Sequence, residues 1–220
     1  MSKENMLVKA QEYVADDTYS KINEEVLDRL DEFVKLFPFR TNRGRIDSLT
    51  PDDIYRQGNK DCFSYWMEYK LKALAHLALH GNLIWENARD NIEVFKSLLK
   101  IAVNDSLMLS EKIDDNWGAI KRFGGDKHVA KKIICCYYPD DFLSMLKTED
   151  SEHFVKLLNV DYKKAAISKF NKEYSDLSKG KKYQLLNTIV LTYKNENAPF
   201  KKWNNLYFTR FLYAKYPPQH

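Results

Sequence analysis

Apolar residues recur at intervals of three and four along most of the chain. Between Asn23 and Phe37 the set Val26, Leu27, Leu30, Phe33, Val34 and Phe37 forms one stripe of a predicted helix, which Pro38 ends. Thr50-Pro51-Asp52-Asp53 reads as a helix start, with a threonine cap, a proline at the first helical position and carboxylates at the positive end. Asp61 opens a predicted long helix, Phe63 to about Leu79, stopping near Gly81, and Asn91 to Val103 repeats the period. A shorter segment, Leu107 to Ile113, precedes the break at Asp114-Asp115-Asn116 and the Gly124-Gly125 turn. The apolar run Val129 to Tyr138 reads as helix because of Ala130 and its two lysines, and Phe142 to Met145 follows as a short element. Thr148-Glu149-Asp150 caps the next helix, and further helices are predicted from Tyr162 to Tyr174, Lys182 to Tyr193 and Asn204 to Tyr216.

The expected fold class is therefore all-α, a bundle of about eight to eleven helices. It is read either as a single domain, 1–220, or as two packed lobes, 1–104 and 105–220, divided in the Asn104 to Asn116 stretch. Gly and Pro together make 13 of 220 residues, about half the average share, which disfavours a turn-rich β-sandwich or a Gly-looped nucleotide fold. Three cysteines, Cys62, Cys135 and Cys136, show no CxxC spacing and are expected to be reduced and buried. No stretch approaches the roughly 18 apolar residues of a membrane span, so a soluble, cytoplasmic protein is expected, with no membrane partner.

Charge changes this picture only locally. The net charge of +4 permits an anionic partner without demanding one. Residues 118–182 hold 14 basic against 9 acidic residues, whereas residues 1–68 are slightly acidic, so the second half is the better place for an anion. There, Lys121, Arg122, Lys127, Lys131 and Lys132 cluster round Gly124-Gly125, a pattern suited to a hairpin that presents backbone N–H groups and lysines to a DNA phosphate. Arg40, Arg43 and Arg45, with Asn42 and Gly44, form a second basic turn that reads as a groove-entering arm or as a solvated loop.

Other constellations are weaker. Pro51-Asp52 with Glu68-Tyr69-Lys70 spells the loose PD…ExK pattern of metal-dependent nucleases, but Glu68 and Lys70 lie two apart in a helical sequence and would face apart. His76 and His80 have the spacing that grips a metal from one helix face, with no third ligand nearby. Trp66, Trp85, Trp117 and Trp203 sit at core positions. A P-loop and a dinucleotide fingerprint are both absent, so no cofactor, no metal and no catalytic residue is expected.

Two segments together resemble a known family. Phe63-Ser64-Tyr65-Trp66-Met67-Glu68-Tyr69-Lys70 resembles a "YWLE-x-K" element. Lys132-Ile133-Ile134-Cys135-Cys136-Tyr137-Tyr138-Pro139-Asp140-Asp141-Phe142-Leu143, running on through His153-Phe154 to Leu158, resembles a "KI-x-hydrophobic-YPD-x-FLPIF…HFL-x-x-LG" element. Both are similar to the N-terminal region of McrB-like AAA+ subunits of modified-cytosine (type IV, McrBC-type) restriction systems. Leu206 to Tyr213 with Tyr216-Pro217-Pro218 resembles the segment that leads into the motor, so the resemblance spans about residues 60–218. Ser144-Met145 replaces the family's Pro-Ile, and Asn159 its Gly.

The resemblance implies a non-catalytic domain that recognises double-stranded DNA, often with a modified base, while a AAA+ GTPase or ATPase motor and a nuclease subunit act as partners. This chain has no Walker motif, so it corresponds to the part before the motor, either as the N-terminal domain of a longer protein or as a free-standing relative. A different class stays open beside it: a helical interaction scaffold that binds a protein partner and no nucleic acid, which the weak net charge favours. A small metal-dependent nuclease is the third reading.

Overall fold

The computed structural model describes residues 3–77 and 83–219. Every regular element among them is helical, and none is a strand. The first helix, α1, spans Lys3–Val14. In α2 (Asp17–Leu36) the Asp16 carboxylate accepts from the Thr18 amide, which starts the helix six residues before the apolar stripe begins. Asn23, Val26, Leu30 and Phe33 are its buried face. After the short α3 (Gly44–Asp47), α4 (Pro51–Ile54) carries a full capping box between Thr50 and Asp53 with proline in its first turn, as the sequence predicts.

The predicted long helix from Phe63 does not form. Only Phe63–Tyr65 is α-helical (α5), and it passes into one π-turn, Trp66–Lys70, then into turns up to Leu77. The cause is a side chain from elsewhere. Lys132 Nζ donates to the carbonyls of Leu71 and Ala75, and an amine inserted into the ladder in this way breaks a helix. The predicted helix end at Leu79 to Gly81 lies outside the described residues.

The chain continues through α6 (Leu83–Asp90), α7 (Ile92–Ala102), α8 (Leu109–Asp114) and α9 (His128–Tyr137). Helix α9 is buried from Val129 to Tyr137, so it runs through the interior. The short element predicted at Phe142 to Met145 is an irregular strap instead. Side chains satisfy its backbone: Asn187 Oδ1 accepts from the Leu143 amide, and Tyr183 Oη donates to the Leu143 carbonyl at 2.9 Å. Then follow α10 (Thr148–Leu157), α11 (Tyr162–Phe170), α12 (Lys179–Glu196) and α13 (Asn205–Lys215).

Two apolar cores interlock. One gathers α2 to α9 and their loops around Phe33, Phe63, Trp85, Phe95 and Tyr137, and it runs from Val26 past residue 104 to Tyr138. The other joins α1 to α10 through α13 around Tyr13, Phe154, Phe200 and Phe211. Tyr183 of α12 and Leu206 of α13 belong to the first core, so the two are stitched together by side chains rather than separated at residue 104. No helix among the described residues is long and apolar enough to cross a membrane.

Candidate nucleic-acid interface and a seam cleft

The Gly124-Gly125 hairpin is anchored by Phe123, buried against Trp85, Phe95 and Trp117. A Cβ on Gly124 would make ordinary contact, at 3.6 Å, with the Gly118 Cα, so the hairpin lies against the turn that carries Gly118. Arg122 and Lys127 take positive φ, 75° and 57°, which turns the chain on either side of the glycines. Lys121 and Arg122 are exposed and Lys127 is half-buried. Lys179, from the first turn of α12, reaches across and donates to the Gly125 carbonyl. Burial, and then the nearby Lys179 charge, push the Lys127 amine below its ordinary value. Lys121, Arg122 and Lys127 of the hairpin and Lys179 of α12 make up its cationic rim, in which Lys127 and Lys179 interact directly and the Asp114 and Asp115 carboxylates also lie near Lys127.

The hairpin's carboxylate, Asp126, turns inward. It accepts from the Thr148 amide at 2.9 Å and from Thr148 Oγ1 at 2.7 Å, and pairs with Lys131 at 3.1 Å. Burial alone would raise its pKa, but the His128 contact, the Lys131 charge and the Thr148 donors together hold the carboxyl well below the usual range.

Lys131 and Lys132 do not join the rim, contrary to the sequence expectation. Both side chains are fully buried. Lys131 Nζ donates to the Leu146 carbonyl at 2.9 Å and to Thr148 Oγ1 at 3.0 Å. Lys132 is held by the Leu71 and Ala75 carbonyls, and burial pushes its amine down to about 8. The physical reason is the all-round apolar surface of α9, which leaves these two positions facing protein on every side. A phosphate cannot reach either amine in this arrangement.

The arginine turn is docked rather than extended. Arg40 Nε pairs with Asp105 at 2.9 Å, its Nη1 donates to the Tyr137 carbonyl, and its guanidinium lies 4.2 Å from the Tyr138 ring centroid. Arg43 Nη2 donates to Asn104 Oδ1 at 3.1 Å, and Arg45 is exposed on α3. Arg40 and Arg43 therefore fasten the turn to the loop after α7 while staying exposed, and Arg45 is exposed with no hydrogen bond or ion pair of its side chain among the described residues.

Where the two cores meet, a cleft of about 570 Å³ opens between the 72–76 turn, the strap carrying Ser144 and Lys147, and α13 with Thr209, Arg210 and Tyr213. Tyr19 of α2 and Asp150 of α10 complete its wall. The buried lysines of α9 brace it: Lys132 holds the 71–75 backbone, and Lys131 holds Leu146 and Thr148 on the strap side. Arg210 Nη1 adds a third tie, to the Ala73 carbonyl at 2.9 Å. Asp150 Oδ2 accepts from the Tyr213 hydroxyl at 2.7 Å.

The residues of the PD…ExK spelling have separate partners. Asp52 pairs with Arg56, Lys70 lies over the Trp66 ring, and Glu68 Oε1 accepts from Trp85 Nε1 at 2.8 Å. Burial raises the Glu68 carboxyl above its ordinary value, with the Trp85 N–H working against it. His76 is exposed beside the cleft, and His80 lies outside the described residues. No three His, Cys, Asp or Glu side chains converge as a metal site among the described residues. The three cysteines are free and buried, and burial pushes the Cys135 and Cys136 thiols up to about 11 and about 12.

Sequence reasoning missed Lys179, Ser144, Lys147 and Arg210. For Lys179 a signal existed: Ser178-Lys179-Gly180-Lys181-Lys182 puts cations at a helix N-terminus, where the dipole disfavours them. The cleft residues come from four distant segments, and no local pattern joins them. Comparison with protein-family models, curated proteins and solved structures finds no match.

Proposed function

We propose that this chain is a non-catalytic DNA-recognition domain, of the kind implied by its resemblance to the N-terminal region of McrB-like subunits, acting in the cytoplasm beside a AAA+ motor and a nuclease partner. The observation that carries the reading is the rim of Lys121, Arg122, Lys127 and Lys179 round the Gly124-Gly125 turn. Burial, and then the Lys179 charge, depress the Lys127 amine against the pull of Asp114 and Asp115, while the hairpin's own carboxylate Asp126 is spent on Thr148 and Lys131. A phosphate placed there relieves the repulsion between like charges and releases counterions from the duplex. Arg45 supplies a second, separate contact on the duplex backbone.

The test is a fluorescence-anisotropy titration of the chain with unmodified, C5-methylated and N6-methylated duplexes at low and near-physiological salt. Binding that weakens steeply with salt and prefers one modified duplex is the expected outcome. No binding to any duplex at tens of micromolar overturns the reading and leaves a protein-binding scaffold in its place.

A further inference from the structure

We propose that the seam cleft is a binding site for a small organic phosphate carrying a flat ring, of the size of a nucleoside monophosphate. Three observations point to that chemistry. Lys72, Lys147 and Arg210 line the cleft against one carboxylate, Asp150, so the site favours an anion. Tyr19, Tyr213 and Leu74 give it an apolar wall, and about 570 Å³ lies within the range of small-molecule pockets, roughly 300–1,000 Å³.

The third observation is Ser144. Its side chain lines the cleft and is 8% exposed, yet its Oγ has no hydrogen-bond partner among the described residues. A buried hydroxyl is costly to leave unpaired, and Arg210 Nε on the same wall also has no hydrogen-bond partner among the described residues, whereas Thr209 donates to Asn205 O and Tyr213 to Asp150. A ligand oxygen in the cleft satisfies the Ser144 hydroxyl once it turns out towards the opening. The walls are also pre-set by Lys131, Lys132 and Arg210, so little ordering is paid on binding. The site shares no residue with the cationic rim and stands independently of the DNA reading.

The experiment is calorimetric titration and thermal denaturation of the full chain with adenosine and cytidine monophosphates, the corresponding unphosphorylated nucleosides, inorganic phosphate and an unmodified duplex. The monophosphates raise the Tm and bind about tenfold or more tighter than nucleosides or inorganic phosphate. Ser144→Ala, which removes the orphaned hydroxyl, weakens them about tenfold, and so does the exposed change Lys147→Gln, while Lys121→Ala leaves them unaltered. The proposal is overturned if no monophosphate binds at millimolar concentration, if inorganic phosphate or a nucleoside binds as tightly, or if neither cleft variant changes affinity. Displacement of the monophosphate by duplex also overturns it, because the cleft is then part of the nucleic-acid interface.

Discussion

Lys131 and Lys132 are consecutive residues of one helix and serve two different walls of one cleft. Lys131 Nζ donates to Leu146 O on the strap, and Lys132 Nζ to Leu71 O and Ala75 O on the broken helix. Two cations that read as surface contacts are internal braces. A lysine can do this because its amine offers three donors on a long apolar stem.

Replacing Lys132 by Met keeps the stem and deletes the donors. The Leu71 and Ala75 carbonyls then lose a buried partner, and Lys132→Met is expected to cost about 2–4 kcal/mol in chemical denaturation. The amine sits at about 8 in the folded chain against its ordinary 10.5, so between those values the unfolded chain binds the extra proton. Stability contributed at this site therefore rises with pH across that window. The difference between wild type and Lys132→Met, read from urea midpoints at the two ends of the window, is expected to be larger at the alkaline end.

Asp126 behaves in the same sense, in the acidic window. Its folded-state pKa is depressed, so its contribution is present above the ordinary carboxylate value and disappears as pH falls through the folded value. Asp126→Asn is expected to lower stability at neutral pH and to flatten the acid limb of the stability curve. Melting temperatures measured from pH 7 down to about pH 2 check this.

Gly180 marks where α12 touches α8. A Cβ there would stand 2.2 Å from the Ser110 carbonyl oxygen and 2.7 Å from the Asp114 carboxylate, and the first of these is backbone that has little room to yield. Gly180→Ala is expected to destabilise by about 1–3 kcal/mol despite the better helix propensity of alanine, measured by denaturant unfolding.

For DNA binding the rim and the braces separate cleanly. Lys121→Ala and Lys179→Ala are each expected to reduce the slope of log affinity against log salt by about 1, with unchanged melting temperature. Lys131→Met is expected to lower the melting temperature and leave the slope as it is. If Lys131→Met instead flattens the slope in a folded protein, its buried position is wrong for the DNA-bound state.

Much of the fold is legible locally. Thr50-Pro51-Asp52-Asp53 forms its capping box from four adjacent residues, and the stripe Phe95, Leu98, Leu99 and Ala102 of α7 is buried as its spacing predicts. The failures have distant causes. The helix after Phe63 breaks because of an amine 61 positions away, and Phe142 to Met145 is held open by Asn187 and Tyr183. For the candidate sites, Lys121, Arg122 and Lys127 were visible as a cluster round a turn. The burial of Lys131 and Lys132 was half-visible, since Val129, Ala130, Ile133, Ile134, Cys136 and Tyr137 leave α9 no polar side. Ser144, Lys147 and Arg210 meet only through tertiary packing.

Helix α1 completes its core against the far end of the chain. Tyr13 packs its ring 5.0 Å from Tyr207 and 5.4 Å from Phe211, and Lys9 Nζ donates to the Lys215 carbonyl across 206 positions. At a synthesis rate of roughly 5–20 residues per second, the apolar side of α1 therefore waits tens of seconds for its partner to leave the ribosome. Met6, Ala10 and Tyr13, each within 1% of complete burial in the finished protein, are bare throughout that interval. The nascent chain thus presents a chaperone with the apolar side of α1 long before the last turn of α13 can cover it.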